Sequence, residues 1–242
     1  MTLPVRNEST VSRTEEIAAV LRSEILLGQY RPGERLPSER DLSKRFETSR
    51  GTVREALKKL EQLGIASIQL GGARVVPVEN ATLDVLRALL HLRQPPDAKL
   101  VDQVMEVYGV LMGLAARTAV VRASDTQIAE AINTAQELID AGGDGLEQQM
   151  AIRRLSSLFI EISEHLVLQL VFNGLHTQFL GEEGDPDNQL TLEPSALAKI
   201  IGNLQSGLKQ RDTADVADAM QELDILIRDS ARMAFKALDL NN

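Results

Sequence analysis

Nine cationic side chains, Arg31, Arg35, Arg40, Lys44, Arg45, Arg50, Arg54, Lys58 and Lys59, fall within one 29-residue window. Cations at that density can displace the counterions condensed on a phosphate backbone. The planar fork of arginine can also clasp a phosphate, or meet guanine O6 and N7 together. The cluster has the form of a duplex-binding footprint, although a solvated charged face accounts for it as well. The overall charge of −9 conceals it. Residues 1–80 hold 13 Lys+Arg against 11 Asp+Glu, a net of +2, and the remaining 13 and 24 give residues 81–242 a net of −11.

The elements that must position these cations follow from local signals. Ile17, Val20, Leu21 and Ile25 recur at helical spacing between Val11 and Leu27, and Gly28 supplies the stop. Tyr30-Arg31-Pro32-Gly33-Glu34 is a turn, because proline fixes φ and glycine accepts a positive one. Ser38 then caps a short helix ending near Phe46, with Asp41 placed to answer it. A break at Glu47-Thr48 precedes a third helix from Ser49 to Leu63, closed by Gly64. Its apolar stripe of Val53, Ala56, Leu57 and Leu60 leaves Arg50, Thr52 and Arg54 on other faces of the first turns, where a recognition helix keeps its base contacts. Residues Ile65–Leu70 and Ala73–Val76 read as two strands joined through Gly71-Gly72. This order of elements is a winged helix-turn-helix over residues 11–78. As pattern alone, the same unit also fits a protein-interaction adaptor that does not bind DNA.

The run Leu27-Gly28-Gln29-Tyr30-Arg31-Pro32-Gly33, then Leu36-Pro37-Ser38-Glu39-Arg40-Asp41-Leu42, Ser49-Arg50 and Val53-Arg54-Glu55-Ala56-Leu57, closely resembles the signature of the GntR family of bacterial regulators. The resemblance covers about 65 residues with the spacing intact. It implies that Arg40, Ser49, Arg50, Thr52 and Arg54 meet phosphates and major-groove edges of a double-stranded operator, with the Gly71-Gly72 wing tip entering the adjacent minor groove. Leu70 occupies a wing position where relatives often carry Arg, Gln or His, so a polar side-chain contact is not expected from it, and backbone approach through the glycines stays open.

Beyond Pro77-Val78-Glu79-Asn80, every long segment has a helical period, predicting an all-helical domain over residues 79–242. About seven helices are expected, over 83–92, 99–122, 125–141, 146–164, 166–180, 194–210 and 213–238. The fold class is therefore mostly α, a winged helix-turn-helix followed by a helical bundle. That bundle resembles the effector-binding domain of the FadR subfamily within GntR, which implies a homodimer modulated by a small molecule.

Most of that subfamily binds a metal through one Asp and three His. The corresponding positions here are Ser156, Ile160, Ile201 and Leu223, none a strong ligand, so no metal and no cofactor is expected. An arginine that would anchor a carboxylate is replaced by Tyr108, and the acidic residue one turn on by Met112. A cavity lined by Tyr108, Met112, Phe159 and Phe172 would favour an apolar or amphipathic effector such as an acyl-CoA, with Ser156, Asn173 and His176 as polar contacts. These residues are also ordinary core material.

The chain carries no P-loop, dinucleotide fingerprint, His-Glu-x-x-His or serine elbow, so an enzyme is not expected. There are no cysteines, no signal-peptide run near Met1, and no stretch of ~20 uninterrupted apolar residues. A cytoplasmic protein with no membrane partner is the corresponding expectation.

Overall fold

The computed structural model describes residues 12–179 and 191–240, which divide into two compact units on either side of residues 94 and 95. In the first unit, α1 (Arg13–Leu26), α2 (Glu39–Arg45) and α3 (Arg50–Gln62) precede an antiparallel hairpin of β1 (Ala66–Gln69) and β2 (Gly72–Val75). Each of the three helices is started by a serine. Ser12, Ser38 and Ser49 accept from the backbone N–H groups of Glu15, Asp41 and Thr52, which would otherwise lack a partner. Helix termination follows the glycines: Gly28 and Gly64 have φ of +77° and +74°, and Gly33 turns the chain at +81°.

The apolar faces of these helices meet in one core, where Leu21, Leu42, Val53 and Leu60 have no exposed surface. Burying each such side chain contributes about 1.5–3 kcal/mol, so the α3 stripe is committed inward and its polar face outward. Gln69 pairs with Gly72, leaving Leu70-Gly71 as a two-residue turn, and a further bridge joins Arg35 to Arg74. The predicted helix over 83–92 is a 3-10 turn, Leu83–Val85, running into the short α4 (Leu86–Leu90). Val85 is buried in the first core and Leu89 packs against it. Residues 79–94, assigned from sequence to the second domain, thus belong to the first compact unit.

Among the described residues the second unit holds six helices rather than seven: α5 (Ala98–Arg122), α6 (Asp125–Asp140), α7 (Gly145–Ser163), α8 (Leu166–Phe179), α9 (Pro194–Gln210) and α10 (Thr213–Leu240). Helix α5 lies against α7, α8 and α10, and α9 closes the layer between α6 and α10. Phe159, Leu155, Ile201, Leu204 and Val216 form the centre of the core, each at most 1% exposed. By length and composition α5 could cross a membrane, but its inner face packs within this bundle.

Long-range polar contacts fix the packing. Arg211 donates to the carbonyls of Val120 and Ala123 at the end of α5 and to Asp125 at the start of α6. The fully buried Gln148 donates to the Gly142 carbonyl and accepts from Leu192 N–H. Arg228 on α10 forms a two-pronged pair with Asp102 on α5 at 3.0 and 3.1 Å.

Candidate nucleic-acid interface

The outward face of the helix-turn-helix begins at Ser49. Its hydroxyl caps α3 by accepting from Thr52 N–H at 3.1 Å and lies 2.9 Å from the Thr52 hydroxyl, so these two predicted contacts are braced against each other. Arg50, at the first helical position, is exposed. The positive end of the α3 dipole points out beside it, favouring an anion at this end. Arg40 stands exposed on α2, 3.8 Å from Asp41.

Arg54 is differently placed from a free contact residue. Its guanidinium meets Glu39 of α2 through Nε–Oε1 at 2.8 Å and Nη2–Oε2 at 2.7 Å, while 58% of its side chain stays exposed. The hydrogen bond from Arg54 holds the Glu39 carboxyl below its ordinary pKa. A surface pair of this kind contributes little stability, so it pre-aims the guanidinium without locking it away from a ligand.

Two other cations of the window pair within the unit. Arg45 pairs with Glu24 and lies over the Phe46 ring, and Lys59 pairs with Glu15. Glu47 makes the turn between α2 and α3 in the left-handed region at φ +49°.

At the wing, Gly71 and Gly72 have φ of +109° and +120°, and Leu70 projects fully into solvent. Arg35 lies against this tip: a Cβ on Gly72 would sit 3.0 Å from the Arg35 Nε. Arg74 donates to the Gly33 carbonyl at 2.9 Å. Arg35 and Arg74 had not been singled out as wing residues. Arg74 belongs to β2 itself, and the bridge brings Arg35, far away in sequence, to the same hairpin.

In the helical unit, the proposed effector residues divide. Tyr108 and Met112 on α5, Ser156 and Phe159 on α7 and Phe172 on α8 converge, with the Tyr108 and Phe172 ring centroids 5.6 Å apart. The Tyr108 hydroxyl is buried with no hydrogen-bond partner. Burial raises its pKa, and the neighbouring Ser156 hydroxyl and the Arg153 charge pull it back in part. Asn173 does not join this cluster. One step beyond Phe172 the helix has turned by about 100°, and Asn173 is exposed. The side chain of His176 lies outside the described residues. Ser156, Ile160, Ile201 and Leu223 are all buried, and among the described residues no group of three or more His, Asp or Glu is placed to hold a metal ion. A separate groove of about 190 Å³, missed from sequence, lies between the start of α5 and the end of α10, lined by Met105, Arg228, Arg232 and Phe235 among others.

Residues 13–76 match the family model described as bacterial regulatory proteins, gntR family. An uncharacterized HTH-type transcriptional regulator of Mycobacterium tuberculosis is 29% identical over 170 residues, covering 70% of this chain and 69% of the relative. The galactonate operon transcriptional repressor of Escherichia coli is 30% identical over 134 residues, covering 54% of this chain and 58% of the repressor. The solved structure of Lar, which controls expression of the agr system of Listeria monocytogenes, superposes with a TM-score of 0.54 at 16% identity, covering 94% of this chain and 99% of that one.

Proposed function

We propose, from the premise that residues 13–76 are the DNA-binding domain of a gntR-family transcription regulator, that the chain binds a palindromic operator as a homodimer whose grip is set by a small-molecule effector. The observation that carries this is the exposed polar face of the first two turns of α3, where Arg50 and Arg54 stand near a capped, electropositive helix end. One such helix reads only a few base pairs, and two-fold symmetry doubles the site. Arg50 and Arg54 serve as the base-edge contacts, Arg40, Ser49 and Thr52 as phosphate and sugar contacts, and the Gly71-Gly72 tip as the minor-groove probe. Footprinting on DNA upstream of the protein's own gene is expected to show two symmetric half-sites centred about 34 Å apart. A single asymmetric site occupied by a monomer would overturn the reading, and no protection at all would favour the adaptor.

The effector site is the cluster of Tyr108, Met112 and Ser156, because an unpartnered hydroxyl in an apolar core marks a place where a ligand acceptor would be rewarded. The apolar surroundings suit an amphipathic molecule, with an acyl thioester as the leading class. A ligand can alter DNA binding only by differential affinity for two arrangements, and the coupling is reciprocal. Calorimetric titration with a long-chain acyl-CoA, with and without operator, is expected to give affinities differing by roughly 5–150-fold. Identical affinities would show that this molecule is not the inducer.

A further inference from the structure

We propose that the wing kinks the operator: Leu70 enters the minor groove as an apolar wedge against a base step, and Arg35, reaching over from the segment before α2, sets a cation beside it. This rests on the operator-binding reading above and adds how the wing reads sequence.

Leu70 is 109% exposed, more than any other large apolar side chain among the described residues. The turn of a two-residue hairpin is ordinarily given to Asn, Asp or Gly. Here Gly71 takes the left-handed backbone at φ +109°, which leaves the other turn position open to a side chain of any type. Residues 65–76 contain no Asp or Glu, so no charge on the hairpin repels a phosphate. An apolar tip with cations beside it is the form in which proteins press Leu, Ile or Phe between base pairs from the minor groove.

Alternation along β2 separates the cationic side of the hairpin from its packed side. Ala73 and Val75 face the core, and Gly72 and Arg74 lie opposite. Arg35 joins that second side through its bridge to Arg74, and its guanidinium lies over the glycines. A Cβ on Gly72 would be 3.0 Å from Nε and 3.2 Å from Nη2, and one on Gly71 would be 3.8 Å from Nη2. Glycine at 72 thus leaves the space that the guanidinium fills. The Arg35 side chain is exposed and has no ion pair among the described residues, unlike Arg45, Arg54 and Lys59. It is therefore free to meet the negative potential of a narrow groove or a phosphate on its rim.

A wedge must also be held. Leu36 N–H donates to the Ala73 carbonyl and Val75 N–H to the Glu34 carbonyl, both at 2.9 Å, so residues 34–36 run along the hairpin and stiffen it. Ile68 N–H donates to the Glu61 carboxylate of α3 at 2.7 Å. The wing is tied in this way to the lead-in of α2 and to α3, and seating α3 in the major groove sets where Leu70 presses. Unstacking costs least at pyrimidine–purine steps such as TA and most in stiff A-tracts. Sequence is then read at a step where no side chain hydrogen-bonds a base.

The test uses the full chain and DNA from upstream of its own gene, with 2-aminopurine replacing each adenine in turn. Wild-type protein is expected to raise 2-aminopurine emission, the sign of unstacking, at one step under each wing. It is also expected to bend the duplex by roughly 20–90°, read as energy transfer between dyes at the two ends. Leu70→Ala is expected to keep the α3 footprint and lose both signals. Placing TA rather than AA at the responsive step is expected to tighten binding by the wild type and to make no difference to Leu70→Ala. Arg35→Ala is expected to lower the salt slope of log affinity by about one for each wing. Both side chains are exposed, and circular dichroism melting checks that the variants fold. Protected DNA that stays stacked and straight under wild-type protein would overturn the wedge and leave the regulator reading standing, as would bending that persists in Leu70→Ala. An unchanged salt slope in Arg35→Ala would overturn the part given to Arg35. No footprint at all on this DNA would instead overturn the reading on which the wedge rests.

Discussion

Alanine at Arg50 or at Arg54 is expected to weaken operator binding by roughly 1–3 kcal/mol each, the cost of one lost bidentate contact. The two should fail in different ways. Arg50 sits exposed at the first position of α3 with the helix dipole behind it, so its loss removes a contact that needs no prior rearrangement. Arg54 must leave Glu39 first, and the exposed pair costs little to open. Glu39→Gln is therefore expected to leave affinity unchanged or tighter, because Arg54 is then released at no electrostatic cost. Fluorescence anisotropy against salt concentration separates the roles. A phosphate contact lowers the salt slope by about one when removed, whereas a base contact changes sequence preference instead. Wild-type affinity in both alanine variants would remove α3 from the recognition role.

Gly109→Ala is expected to destabilise the helical unit by about 1–3 kcal/mol, the usual cost of forcing one extra carbon into a filled space. A Cβ on Gly109 would lie 2.2 Å from the Asp224 Cγ, so α5 and α10 can no longer approach. Combining it with Asp224→Ala is expected to recover part of that loss, which chemical denaturation of the four proteins in the cycle measures. Additive losses would mean that the two residues do not meet.

Asp224 also sets a pH dependence. It faces Asp102 and Glu106 across the α5–α10 contact and has Arg228 at 3.8 Å, and burial drives its carboxyl up to about 6 despite that cation. The unfolded value is about 3.9, so between about pH 4 and 6 the folded chain holds the proton that the unfolded chain has lost. Stability therefore falls as pH rises through this window, and Asp224→Asn is expected to abolish the fall. Asp102 acts in the opposite sense. Arg228 and Arg232 hold its carboxyl at about 2, so the stability it contributes is present above about pH 4 and is lost as pH drops toward 2. An unchanged slope between pH 4 and 6 in Asp224→Asn would show that another group titrates there.

The sequence by itself determined the helices and their ends, the hairpin and the polarity of each face. Serine caps, glycine stops and an apolar period act over one or two turns, and such local preferences need no distant partner: Ser49, Gly64 and the Val53-to-Leu60 stripe hold the same roles in the structure as in the string of letters. Residue type alone also set the chemistry available at Ser156, Ile160, Ile201 and Leu223. What only the tertiary structure decided are the pairings between surfaces that many partners could satisfy. An amphipathic segment such as 79–94 can bury its apolar side against either neighbour, and Val85 went into the winged core. Arg54 had several carboxylates within reach in sequence, and the α2–α3 crossing chose Glu39. Phe172 turned inward, and Asn173, about 100° further round the helix, is exposed. The Gly109–Asp224 contact joins residues 115 positions apart. Periodicity marks which faces are apolar, but the choice between one apolar face and another is made by shape and charge across the packed interface.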